Sequence, residues 1–230
     1  MTMRQIELTV DNVIKAWTAE TDKALAKNPE EGRRAMSFNN QALKLLAQGS
    51  PVSPAQLADT SGRPVTEVEE IFAKMQERGV EVDETGNLVG LALTLNPTPH
   101  RFILNGRTLY TWCALDAVFM PGLLDVTAEV ESTCPTTGKP IQLTISPDGI
   151  EAFTPETAVL SIAVPGLSCR REDDDASKAR TGPKSDSCNQ MHFFASNEAA
   201  ELWAQSHPGT AIFTPEEAYR LAYANWIGRR

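Results

Sequence analysis

The stretch SPAQLADTSGRPVTEVEEIFAKMQERGVEVDETGNLVGLAL, Ser53 to Leu93, decides the fold of the N-terminal part. "SPAQ" puts Ser53 at an N-cap, Pro54 in the first turn and Gln56 three residues on, the pattern of a capping box. "TEVE" repeats that pattern, with Thr66 expected as the cap and Glu69 at the third position. The helix it opens carries Val68, Ile71, Phe72 and Met75 on one face. "GVEVDETGNLVGLAL" then reads as two strands around a turn at Thr85-Gly86. Upstream, a short apolar helix containing "NQALKLL" ends near Gly49. Three helices followed by a β-ribbon is the order of a winged helix. A further amphipathic helix, residues 9–27, precedes them, with Val13 or Ile14, Trp17 and Leu25 as its apolar marks.

A winged helix raises the question of DNA. The third helix holds Glu67, Glu69, Glu70 and Glu77 against Lys74 and Arg78, the wrong sign for a phosphate-lined groove. The whole chain agrees, with 21 basic and 30 acidic side chains in 230 residues and a net charge of −9. Such a protein repels nucleic acid and anionic lipid. Residues 1–95 are therefore expected to form a structural or occluding winged-helix-like domain. The first residues show no charged segment followed by an apolar one, and no apolar run is long enough to span a bilayer. A soluble, cytoplasmic protein is expected, with neither nucleic acid nor membrane as partner.

After the Pro-rich join "NPTPHRF" the pattern changes. "RFILNGRTLY" predicts a hairpin turning at Asn105-Gly106, and "CALDAVFM" a helix stopped by Pro121-Gly122. "VTAEVES", "PIQLTIS" and "TAVLSIAV" alternate like strands, and "QMHFFAS" is an apolar strand. Ser196 starts a helix, and Thr214, Pro215 and Glu217 open a last one. Residues 96–230 thus form a mixed α+β domain, and the fold class is α+β. Residues 168–187, with "REDDD", read as a solvated loop, or else as a lid.

Four cysteines stand at positions 113, 134, 169 and 188, without a C-x-x-C pair or a zinc-finger spacing. They are either buried filler or reactive thiols. Cys113 lies three residues before Asp116 in an apolar run, and i, i+3 residues share a helix face. If Thr111 caps that helix, Cys113 sits in its first turn, where N–H groups and the dipole depress a thiol pKa. Asp116 opposes this, because a carboxylate disfavours a second anion, so the two should titrate as a pair. The apolar neighbours Trp112, Leu115, Val118, Phe119 and Met120 favour sharing one proton. Cys188, at a loop-to-strand junction, would add a second thiol and make a site for a soft metal. Cys134 reads as packing, His192 as a satisfied core histidine, and Trp112 and Phe193 as pocket wall or core.

Three blocks, LYTWCALDAVFMPGLL, CPTTGKPIQLTISPDGI and CNQMHFFAS, come in an order and spacing that resembles the alkylmercury (organomercurial) lyase family. The resemblance is strongest over residues 100–206, and the N-terminal part is also similar to that family. It implies protonolysis of a carbon–mercury bond, giving a hydrocarbon and Hg(II). It implies Cys113, Asp116 and Cys188 as catalytic residues, with Cys113 and Cys188 also holding the mercury. No cofactor is implied, since mercury is substrate and then product. The implied partners are small thiols that carry off the product and a mercuric reductase that accepts it. Cys169 would be a bystander, or a relay passing mercury outward. Two other readings rest on the residues alone: a winged-helix thiol sensor of metal or redox state, and a Cys–His hydrolase using Cys113 and His192.

Overall fold

A computed structural model describes residues 8–76, 79–167 and 187–229. The expected loop, apart from Ser187, and Cys169 within it lie outside the described residues. The chain opens with helix α1, Val10–Ala26, capped by the Thr9 hydroxyl. Helix α2, Pro29–Leu46, is longer than the short helix read from the sequence. Its polar first half shows little apolar pattern, and the buried residues begin with Phe38 in the second half. Helix α3, Pro54–Ser61, has the expected capping box, with Ser53 and Gln56 each bonding the other's backbone.

Helix α4, Val65–Gln76, starts earlier than "TEVE" suggested. The first-turn N–H groups of Glu67 and Val68 donate to the Pro64 carbonyl, which leaves Thr66 inside the helix. Arg63 also pairs with Glu67 across that turn. Val68 and Phe72 are buried as the apolar face required, and Ile71 and Met75 pack against the same core. Strands β1, Glu81–Val82, and β2, Leu88–Leu91, form the ribbon. At its tip Asp83 accepts bonds from the backbone and side chains of both Asn87 and Thr85. Those bonds, the Asn87 backbone N–H first, hold its carboxyl down to about 2.

The ribbon does not end as a free wing. Strand β3, Leu93–Thr94, folds back on β2 and also pairs with β5, Arg107–Thr111. The hairpin of β5 with β4, His100–Leu104, turns at Asn105 and Gly106, both at positive φ, as that dipeptide demands. Strands β6, Ala128–Thr133, β7, Pro140–Ser146, and β8, Gly149–Thr154, complete an antiparallel sheet ordered β1-β2-β3-β5-β4-β6-β7-β8. A second sheet sets β9, Val159–Ala163, between β10, Phe193–Phe194, and β11, Thr210–Phe213. Helices α6, Asn197–Ala204, and α7, Pro215–Asn225, start at the expected Ser196 and Thr214 caps.

Helix α5, Ala114–Leu124, is almost wholly buried and packs on α7 and on strands of both sheets. A helix apolar on every side belongs in a core. Pro121-Gly122 does not stop it. The helix runs on to Leu124, and the positive-φ residue Asp125 ends it. Gly122 serves contact instead: a Cβ there would lie 2.6 Å from Ile227 Cδ1.

Candidate functional site

Cys113 is itself the N-cap of α5, so the helix begins two residues later than a Thr111 cap would allow. The Thr111 hydroxyl is used otherwise and donates to the Cys113 carbonyl at 3.1 Å. The Asp116 N–H donates to Cys113 Sγ at 3.4 Å, and the Cys113 N–H donates to Asp116 Oδ2 at 3.1 Å. This is a capping box in which a thiol replaces the usual hydroxyl and Asp replaces Glu. The pair meets through that reciprocal bond rather than as neighbours one turn apart on a helix face.

Cys188 opens a short 3-10 helix, Cys188–Gln190. Two tethers bring it to α5. The Ala114 N–H donates to the Met191 carbonyl at 3.1 Å, joining the first residue of the helix to the end of the turn. Ser161, fully buried in β9, donates its hydroxyl to the Gln190 carbonyl at 2.7 Å and accepts from the His192 N–H at 3.0 Å. As a result the ligand atoms of Cys113, Asp116 and Cys188 all lie within 4.8 Å of one another.

Burial sets the electrostatics. Cys113 is fully buried and Asp116 only 7% exposed, while Cys188 is half-buried. Burial pushes the Cys113 thiol well above its usual range, helped by its hydrogen bond with Cys188 and by the Asp116 and Cys188 charges. The Asp116 N–H pulls the other way but does not prevail. The lowering expected from the helix terminus is present in that N–H, but loss of solvent and the opposing charges outweigh it. Asp116 is also pushed well up, by burial first and by Cys188 second, against its bonds with Cys113. Both shifts favour the protonated forms of Cys113 and Asp116.

The other candidates lie apart from this trio. Cys134 is buried in the turn between β6 and β7. Burial would raise its thiol, yet the Thr137 hydroxyl and the backbone N–H groups of Ala195, Thr137 and Thr136 together lower it. His192 is not a core histidine: it is part-exposed, its Nε2 lies 3.0 Å from the Asn189 carbonyl, and its ring meets Trp203 edge-on. Phe119 stacks on Trp226, which meets Trp17 edge-on. Phe193 is buried against His100. Ser161 was missed in the sequence, where nothing distinguishes it from any small residue in an apolar strand.

The model of the alkylmercury lyase family matches residues 93–228, and that of the helix-turn-helix domain of alkylmercury lyase matches residues 18–92. The chain belongs to the alkylmercury lyase family. An alkylmercury lyase of Bacillus cereus is 42% identical over 195 residues, covering 84% of this chain and 83% of that protein. One from Pseudomonas putida is 36% identical over 204 residues, covering 87% and 90%. The crystal structure of the mercury-bound form of MerB2 shares the fold, with a TM-score of 0.71 at 23% identity, over 91% of this chain and 97% of that one. Membership of this family also fits the acidic face of α4, where a DNA-binding sensor would need cations.

Proposed function

We propose that the protein cleaves the carbon–mercury bond of alkyl- and arylmercury compounds by protonolysis, releasing a hydrocarbon and Hg(II). The observation that carries this is the buried cluster of two thiols and one carboxyl, its ligand atoms within 4.8 Å of one another, in a chain of this family. Thiolates are the ligands that soft mercury prefers, while a carboxyl is a proton carrier.

The steps balance without a resident metal. A substrate R–Hg–SR′ exchanges its thiolate for Cys113, whose proton leaves on the departing R′SH. Binding a soft cation supplies the stabilisation that the buried thiol lacks when free. Cys188 then bonds the mercury as a second sulfur. Electron donation from two sulfurs makes the carbon bound to mercury more basic. Asp116, held neutral by burial, passes its proton to that carbon, and R–H departs. The Cys188 proton replaces the one Asp116 lost, so one thiol proton ends in the hydrocarbon. Burial keeps competing water away from the reacting atoms. Hg(II), left on two sulfurs, departs to small thiols, with a mercuric reductase as the onward acceptor. Such chemistry requires reduced cysteines, which suits a cytoplasmic protein. Among the described residues no helix is long and apolar enough to cross a membrane.

The test is to incubate the protein with phenylmercuric acetate and excess small thiol and to assay benzene by gas chromatography. Benzene from the native protein and none above background from Cys113→Ser is expected. Tight mercury binding without benzene would mean a trap or sensor instead.

A further inference from the structure

Trp112, immediately before Cys113, is fixed at two points. Its backbone N–H donates to the Ala92 carbonyl at 2.9 Å, and its indole N–H donates to Glu81 Oε1 at 3.1 Å. Both partners come from the N-terminal ribbon: Glu81 is in β1, and Ala92 forms the bend between β2 and β3. The second carboxylate oxygen of Glu81 accepts from the Thr94 hydroxyl and, at 3.0 Å, from the Asn96 side-chain amide. One carboxylate therefore gathers the ribbon, the start of the Pro-rich join and the residue before the site thiol.

Two features of the backbone serve this arrangement. Glu81 pairs with Gly90 across the ribbon, and any Cβ at position 90 would overlap the Glu81 carboxylate. Glycine leaves the space that the carboxylate occupies. Ala92 holds φ at 60°, a left-handed conformation unfavourable to a residue with a Cβ. That bend points its carbonyl at the Trp112 N–H.

We propose that Glu81 is a positioning residue for carbon–mercury cleavage, acting through Trp112 to hold Cys113 where Asp116 and Cys188 can share its mercury. In a winged helix used for DNA the ribbon is free to reach a groove. Here it braces the approach to α5. Glu81 touches neither substrate nor the reacting atoms. Its contribution is geometric, and a misplacement of about 1 Å in a reacting group can cost about 100-fold in rate.

The inference rests on the lyase reading, so benzene release by the native protein is measured first; its absence would defeat that reading and this inference with it, whereas the variant outcomes below can defeat this inference alone. With release established, kcat and KM are measured for Glu81→Ala, Glu81→Gln, Trp112→Phe and the double variant Glu81→Ala/Trp112→Phe. Glu81→Ala is expected to lower kcat about 10- to 100-fold while KM stays within about twofold. Glu81→Gln should recover most of the loss, since its amide oxygen still accepts from the indole. Trp112→Phe keeps a ring but loses the donor and should resemble Glu81→Ala. The double variant should be no slower than either, as expected for two residues acting through one bond. Native kcat in Glu81→Ala, or losses that multiply in the double variant, would overturn the proposal. Should Glu81→Ala not fold, native kcat in folded Trp112→Phe would overturn it alone.

Discussion

Asp116 has its peptide N–H on Cys113 Sγ and its carboxyl on the Cys113 N–H, and both side chains are buried. The spacing C-x-x-D was legible in the sequence, but the geometry behind it was not. The sequence set the helix terminus, which lowers a thiol pKa, against Asp116 and the apolar neighbours, which raise it, without deciding which prevails. With Cys113 itself as the cap and fully buried, solvent exclusion outweighs the one N–H donor. Replacing Asp116 by Asn removes the transferable proton and should lower kcat about 100- to 10,000-fold, measured by benzene release. The same variant should alter stability. A carboxyl whose folded pKa is raised stabilises the native state fully only below its unfolded value, about 4. That stability is lost as pH rises toward the folded value, because the unfolded chain ionises first. Asp116→Asn should therefore melt higher than the native protein at pH 8, with the gap closing by about pH 3.5. A constant gap across that range would contradict a buried neutral carboxyl. Turnover by the native enzyme should fall at alkaline pH, as Asp116 loses its proton.

The turn carrying Cys188 owes its place to strand β9. Ser161 bonds the backbone on either side of Met191, and Ala114 bonds Met191 itself. The sequence showed a strand around residue 161 and a thiol at 188, but no local signal joins a strand to a turn that far along the chain. Only the resemblance to a family placed the two cysteines together. Removing the hydroxyl leaves the Gln190 carbonyl and the His192 N–H short of a buried partner, at about 1–3 kcal/mol. Ser161→Ala should thus lose stability by that amount in urea titration and bind mercury with one protein sulfur more often than two, read by X-ray absorption. Gly122 makes the complementary case. The Pro-Gly pair looked like a helix stop, yet the glycine is there for the close contact with Ile227. Gly122→Val should cost about 1–3 kcal/mol through overpacking. Besides the two-residue β3, the unforeseen strands β8 and β11 lacked the usual marks. β8 is an edge strand with no buried face, and β11 is only four residues long.

At the scale of the molecule, the two halves named by composition are joined by more than a linker. The ribbon pairs into the larger sheet through β3, and α1 reaches the far side of the chain. The Trp17 indole N–H donates to the Ala163 carbonyl at 3.1 Å, and Asp11 and Asp22 pair with Arg220 and Arg229. The helix periods and caps of the winged helix were readable locally, whereas the pairing of β3 with β5 spans residues whose composition marks a join. Unfolding should consequently be one cooperative transition, with tryptophan fluorescence and far-UV circular dichroism coincident in urea. Two separated transitions would mean that the halves fold independently. In the proposed mechanism two thiols hold mercury and one acid delivers the proton, and packing within the second half assembles them: Cys113 and Asp116 stand at the start of α5, and Cys188 comes from the turn before β10. The most direct test of that division is to add one equivalent of phenylmercuric acetate to Asp116→Asn, then follow benzene and intact protein mass together. The phenylmercury adduct should persist on the protein, with no benzene, over the time in which the native enzyme releases all of it. Benzene at the native rate from Asp116→Asn would show that the proton comes from elsewhere and that the carboxyl is not the acid.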